Sequence, residues 1–132
     1  MARTTTGLVT VFGVFALCGL RPAEANERPE IRYSQRYEAC SAKAKGSYTH
    51  ILACMAEEQR YQAVFLNREF GAVMRRLSEP NRKKLLRLQH AWLAGRKQVC
   101  PLLADAGTSD LVDQRLCFLE ETVRRTDWLK RQ

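Results

Sequence analysis

The chain reads as an all-α protein, a small disulfide-stapled bundle of about four helices with a long central antiparallel hairpin. Three observations lead there. Beyond about residue 30 the apolar positions recur at intervals of three and four, and no stretch alternates apolar and polar residues as a half-buried strand would. Four cysteines, Cys40, Cys54, Cys100 and Cys117, come after an apolar leader, an even number placed to meet an oxidising compartment. Gly46, the run Ser78-Glu79-Pro80-Asn81 and the stretch from Pro101 to Asp110 cut the periodic sequence into helix-length pieces.

The first 25 residues carry the three zones of an export signal. Arg3 supplies charge, Leu8 to Leu20 is almost unbroken apolar sequence, and Ala23-Glu24-Ala25 gives an Ala-x-Ala cleavage pattern, which places the cut before Asn26. The apolar run is shorter than the roughly 20 residues a membrane-spanning helix needs, and no later stretch comes closer. Cys18 belongs to this apolar region rather than to a lipid attachment site, because Leu17 stands where such a site wants a small residue. The expected organisation is a signal peptide at 1–25, a polar entry segment at 26–36 and one helical domain at 37–132, in a protein that is exported, periplasmic or secreted. Cleavage removes Arg3, Arg21 and Glu24 and brings the net charge from +8 to +7. The remaining chain is enough for one core, though small enough to benefit from staples.

The first helix is expected over Arg32 to Lys45, ended by Gly46, which tolerates a left-handed cap. Ser47 and Thr49 are candidate caps for a long second helix that runs to about Leu77. Its buried stripe is Leu52, Met55, Gln59, Gln62, Leu66, Phe70, Val73 and Leu77, broadened by Ile51, Phe65 and Met74. Pro80 disfavours helix at Glu79, so Ser78 to Asn81 is read as a turn, with Asn81 capping the third helix. In that helix Leu85, Leu86, Gln89, Trp92, Leu93, Arg96 and Cys100 share one arc, while Lys83, Lys84, Arg87, His90 and Gln98 lie outside it. The fourth helix, from about Leu111 to Leu129, has two adjacent stripes, Val112-Leu116-Leu119-Val123 and Leu111-Phe118-Thr122-Arg125-Leu129. Cys117 falls opposite both. Its partner must therefore come from a segment lying over that side, unless the helix is irregular there.

Two disulfides can be drawn from the four cysteines in three ways. Pairing neighbours, Cys40 with Cys54 and Cys100 with Cys117, closes two loops of similar length, each removing about 3 kcal/mol of unfolded-chain entropy, and is preferred. A zinc site made with His50 and His90 is disfavoured by the lack of any Cys-x-x-Cys pair and by the oxidising compartment, so no metal and no cofactor is expected. The two histidines read as surface residues. Gln89 and Arg96 sit on an apolar face, and a buried guanidinium without a partner is costly. We expect Arg96 to stack on Trp92 one turn earlier and to pair with an acid from another helix, Glu57, Glu58 and Glu69 being the candidates. Gln89 is expected to bond a loop carbonyl, and Arg125 is a milder case of the same kind.

The spacing of Gln89, Trp92, Arg96 and Cys100, the pair Leu66-Asn67, and the tail Cys117, Thr122, Arg125 and Leu129 resemble the LprI-like lysozyme-inhibitor domain, a family of small exported bacterial proteins. The resemblance runs from about Tyr37 to Leu129, and the four cysteines fall where that family has them. Gly95 departs from it where an aromatic residue is common, as does Phe70 where tyrosine is common. The resemblance implies a non-enzymatic binding protein whose partner is a lysozyme or another cell-wall hydrolase, with the signature residues holding the fold. Common lysozymes are themselves strongly basic, so a basic inhibitor approaches against long-range repulsion, although a basic side chain that reaches the carboxylates of the enzyme's cleft would still work locally.

A second reading comes from charge alone. Arg75, Arg76, Arg82, Lys83, Lys84 and Arg87 cluster at the hairpin tip and would suit an envelope module held on anionic glycan or lipid headgroups. Nucleic acid is not an expected partner, since an exported chain rarely meets it and no recognition motif is present. Catalysis is not expected either: no serine, histidine and acid set stands at useful spacing, and Glu57-Glu58 and Glu120-Glu121 are neighbours that point to different helix faces.

Overall fold

The computed structural model describes residues 30–132; the expected leader at 1–25, its cleavage before Asn26, Cys18 and Pro29 lie outside the described residues. The described chain forms four helices: α1 Gln35–Lys43, α2 Tyr48–Arg76, α3 Glu79–Val99 and α4 Thr108–Lys130. Among the described residues there is no strand, and no helix is long and apolar enough to cross a membrane.

Local chemistry sets each boundary. Ser34 caps α1, its hydroxyl accepting from the Tyr37 N–H at 3.1 Å, so the helix starts later than Arg32. Lys45 and Gly46 both take positive φ, 45° and 82°, and this left-handed pair ends α1 two residues before the expected Lys45. Ser47 caps α2 by accepting from the His50 N–H at 3.3 Å, and Thr49 lies inside the first turn instead. Ser78, not Asn81, precedes α3, and Pro80 falls in its first turn. The expected turn there gives way because proline lacks only an N–H that would find no acceptor within the helix. The main chain of Arg82 then donates to the Ser78 carbonyl at 2.9 Å. Asp110 reaches back to accept from the Gly107 N–H at 2.7 Å, so α4 begins at Thr108, one turn ahead of Leu111.

The pairings between helices give the topology. Ser34 meets Glu58 and Cys40 meets Cys54, so α1 runs antiparallel to α2. Arg96 meets Thr122 and Gln89 meets Arg125, so α3 runs antiparallel to α4. Gln59 bonds Thr122, while Leu66 and Val73 share a cluster with Leu129, so α4 runs alongside α2 in the same direction. The α2–α3 connection is the expected antiparallel hairpin, yet α4 is the helix whose backbone lies closest to α2. Helix α3 makes its contacts with long side chains.

Leu66, Val73, Leu85 and Leu129 form one end of the core, with Phe70, Met74, Leu77, Trp92 and Trp128 packed around them. At the other end Tyr37, Cys54 and Met55 pack with Tyr33, Ile51, Val112 and Leu116. Leu119, fully buried in the middle of α4, belongs to the stripe expected for that helix. The α3 arc is narrower than its wheel implies: Leu85, Gln89 and Cys100 are buried, but Leu86 and Leu93 stay exposed because α3 stands off from α2. Glu58 is an acid in the core. It is 2% exposed and accepts from Ser34 N–H at 2.9 Å, Ser34 Oγ and Gln62 Nε2 at 2.7 Å. Three donors replace the water a carboxylate would otherwise need.

Both disulfides join neighbouring cysteines, with Cα–Cα separations of 5.8 Å for Cys40–Cys54 and 5.7 Å for Cys100–Cys117. Cys117 faces away from the α4 stripes as the wheel implies, and the segment after α3 folds over that side to meet it. Gln114 Nε2 donates to the Cys100 carbonyl at 3.1 Å and holds the segment there.

Two consequences are measurable. Leu119→Ala should lower the unfolding free energy by about 3 kcal/mol in urea titrations, the usual cost of a buried leucine truncated inside a packed core. The Tyr33 phenol is pushed up to about 12 by burial first, then by the Glu120 carboxylate and Tyr37, against an opposing effect of Arg124. A raised folded pKa means that the stabilisation is complete below the unfolded value of about 10 and fades as pH climbs through that window to 12. Tyr33→Phe should therefore flatten the alkaline fall in stability, read from melting temperatures across that range.

Candidate functional site

The residues singled out in α3 and α4 converge on one seam. Thr122, 1% exposed, donates its hydroxyl to the Phe118 carbonyl at 2.8 Å, accepts from Gln59 Nε2 at 2.9 Å and accepts from Arg96 Nη2 at 3.2 Å. One hydroxyl thus ties three helices together. Arg96 Nη2 also donates to the Phe118 carbonyl at 2.9 Å, and its guanidinium lies 5.0 Å from the Trp92 ring and 4.9 Å from the Phe118 ring. Arg125 Nε donates to Gln89 Oε1 at 2.9 Å, and its guanidinium lies 4.0 Å from the Trp128 ring and 5.7 Å from Trp92. Trp92 is therefore bracketed by two cations.

Arg96 stacks on Trp92 as their spacing predicts, but none of the three candidate acids pairs with it. Glu57 pairs with Arg36 and Arg60, Glu69 pairs with Arg68, and Glu58 is held by Ser34 and Gln62. All three acids lie on flanks of α2 turned away from the seam. Gln89, expected on a loop carbonyl, instead accepts from Arg125. Aromatic faces and neutral oxygens stand in for a carboxylate here, which is costlier: burial pushes both arginines below their ordinary range, with Glu121 opposing this at Arg96. Arg96 Nε, Arg125 Nη2 and Gln59 Oε1 have no hydrogen-bond partner among the described residues. The signal in the sequence that points to this arrangement is aromatic spacing: Trp92, Phe118 and Trp128 each stand within one turn of an arginine or across from it.

Next to the seam a groove of about 590 Å³ opens between α2, α3 and α4, walled by Leu52, Met55, Leu93, Leu111 and Phe118. Arg96, Lys97 and Arg115 line it and no acid does. Of the remaining family-signature residues, Leu66 and Leu129 are core and Asn67 is exposed on α2. The basic cluster sits at the α2–α3 turn. There Arg82 and Lys83 share Glu79, while Arg75, Arg76, Lys84 and Arg87 form no ion pair among the described residues. At the opposite end of α3 its last residue, Val99, is exposed, as are Leu102 and Leu103 in the α3–α4 connection.

Cys40, His50 and Cys54 bring possible metal-ligand atoms within 4.8 Å of one another. The two sulfurs are bonded to each other, however, and a disulfide offers no thiolate to a metal. His90 is exposed on α3, far from this group in sequence and on a different helix.

A family model described as lysozyme inhibitor LprI matches residues 40–129, close to the Tyr37 to Leu129 span of the resemblance. No curated protein matches the chain, and no solved structure does.

The seam makes a specific demand on residue type. A lysine at position 96 carries the charge but cannot lie flat between two rings and bond two oxygens at once. Arg96→Lys should cost about 1–3 kcal/mol in chemical denaturation, and Gln89→Leu, which strands Arg125, should cost a similar amount.

Proposed function

The chain belongs to the LprI lysozyme inhibitor family, and we propose that it is an exported binding protein that blocks the cleft of a lysozyme or another cell-wall hydrolase. The observation that carries this reading is the match itself, which takes in the end of α1, all of α2 and α3, nearly all of α4 and both disulfides. Two disulfides in a domain of this size suit an oxidising compartment and support export of the mature domain, periplasmic or secreted, after removal of residues 1–25. In this reading the protein acts by occupying a surface rather than by chemistry. The cationic seam is then scaffold: apart from Arg96 Nε, Arg125 Nη2 and Gln59 Oε1 its groups are engaged with one another, and their energy goes into fixing how α3 lies on α4.

A second reading is favoured by one feature, the four cations at the α2–α3 turn that form no ion pair among the described residues. A concentrated basic tip would hold the protein on anionic glycan or lipid headgroups of the envelope. It would complement the inhibitory reading by keeping the inhibitor near the wall that it protects.

Titration of lysozyme-catalysed cell-wall lysis with the purified mature protein should show saturable loss of rate. An unchanged rate at large molar excess would remove the inhibitory reading. Binding to anionic vesicles, measured by cosedimentation, should weaken steeply as salt rises if the basic tip mediates it, because exposed charges are screened within about 8 Å at physiological ionic strength.

A further inference from the structure

A basic inhibitor meets a basic enzyme with least repulsion through its least basic face, which here is the end of α3 with the connection to α4. We propose that the α3–α4 connection is the surface that enters the hydrolase: an apolar plug of Val99, Leu102 and Leu103 collared by aspartates, fitted to a basic protein with an apolar depression in its cleft. This rests on the inhibitory reading above and names the part of the molecule that would carry it out.

Exposure is the first argument. Val99 is 59% exposed, Leu102 43% and Leu103 73%, an apolar cluster at the very end of the bundle. Isolated exposed apolar residues are ordinary, but neighbouring ones at the end of α3 and in the loop that follows it are of the kind that forms a contact surface. Charge is the second. Residues 98–114 hold Asp105, Asp110 and Asp113 and no lysine or arginine, in a chain of net charge +8. None of the three aspartates forms an ion pair among the described residues. The basic tip lies at the other end of α3, roughly 30 Å away for a helix of 21 residues. That distance is several screening lengths, so the charges that a partner at the loop meets are the three aspartates together with Lys97 and Arg115, which flank them and leave this end near neutral while the tip stays strongly basic. The molecule is therefore polarised along α3, and a cationic protein is turned toward the loop end as it approaches.

Rigidity is the third argument. The loop leaves α3 at Cys100, which is bonded to Cys117 on α4 and held again by Gln114. Pro101 fixes one torsion directly after it. Ala106 N–H donates to the Leu103 carbonyl at 3.2 Å, closing a turn at the tip. Asp110 then fastens Gly107 at the entry to α4. A loop tied at both ends and across its tip has little ordering left to lose when it binds, which is how a small plug gains affinity.

The test uses the mature protein and a strongly basic lysozyme acting on a cell-wall suspension. The double variant Leu102→Ala/Leu103→Ala should raise the inhibition constant at least about tenfold while circular dichroism and melting stay as in the parent, because both side chains are exposed. Asp105→Lys/Asp113→Lys should slow association markedly at low ionic strength, with the difference shrinking as salt rises. Lys97→Glu/Arg115→Glu, which reverses the groove, should leave inhibition equal or tighter. A leucine double variant that inhibits like the parent, or an aspartate double variant that associates as fast, overturns the proposal while the inhibitory reading stands. A parent protein that leaves the lysozyme rate untouched removes the inhibitory reading first, and this proposal with it.

Discussion

The bond between Cys100 and Cys117 sets the arrangement of the second half of the molecule. Cys117 lies on the side of α4 away from its buried stripes, so closing this bond pulls the end of α3 across that outer side. Around the short connection 100–107, α3 and α4 then lie antiparallel. The paired positions Cys100 with Cys117, Arg96 with Thr122, and Gln89 with Arg125 step in opposite directions along the two helices, as one fixed register requires. The bond thus bears on two things together: which side chains of α3 meet α4 in the seam, and how the connecting loop is held against α4. The Cys40–Cys54 bond does the corresponding job for α1, which it lays antiparallel on α2 where Ser34 reaches Glu58.

The seam below that bond shows how a small core accommodates two guanidinium groups with no carboxylate. Each is flanked by aromatic rings, and each donates a hydrogen bond to a neutral oxygen whose position another helix controls. Such an arrangement is less forgiving than an ion pair. A carboxylate attracts from any direction, whereas a ring face and a carbonyl are satisfied in one geometry only. The seam therefore contributes specificity more than stability: of the ways α3 could lie on α4, it accepts one.

Much of this architecture is legible in the sequence and some is not, for reasons that differ by residue. Gly46 and Ser47 mark the α1–α2 break because a left-handed cap and a hydroxyl cap are local events. The wheel places Cys117 off the buried face and so requires that chain cross that side, whichever cysteine it meets. The start of α3 is easily misread because Pro80 counts against helix in general but not in a first turn. Leu86 and Leu93 look like core residues because a wheel gives direction and not depth; only the stand-off of α3 from α2 leaves them outside. Trp92 is legible as the aromatic partner of Arg96 from their spacing, whereas the hydrogen-bond partners of Arg96 and Gln89 have no such trace. They depend on which flank of α2 the acids occupy, a three-dimensional fact with no short-range signature.

Charge along α3 links this architecture to the proposed role. The basic turn and the apolar-tipped loop, near neutral in charge, occupy opposite ends of the same helix, so in the proposed role one molecule would rest against an anionic wall and offer a different face to a cationic enzyme. Amide hydrogen exchange of the mature protein, alone and saturated with a basic lysozyme, tests this most directly. The account predicts slowed exchange confined to residues 99–106 and the adjoining first turn of α4. Slowed exchange across the arginine-rich turn instead, or an unaltered pattern throughout, would contradict it.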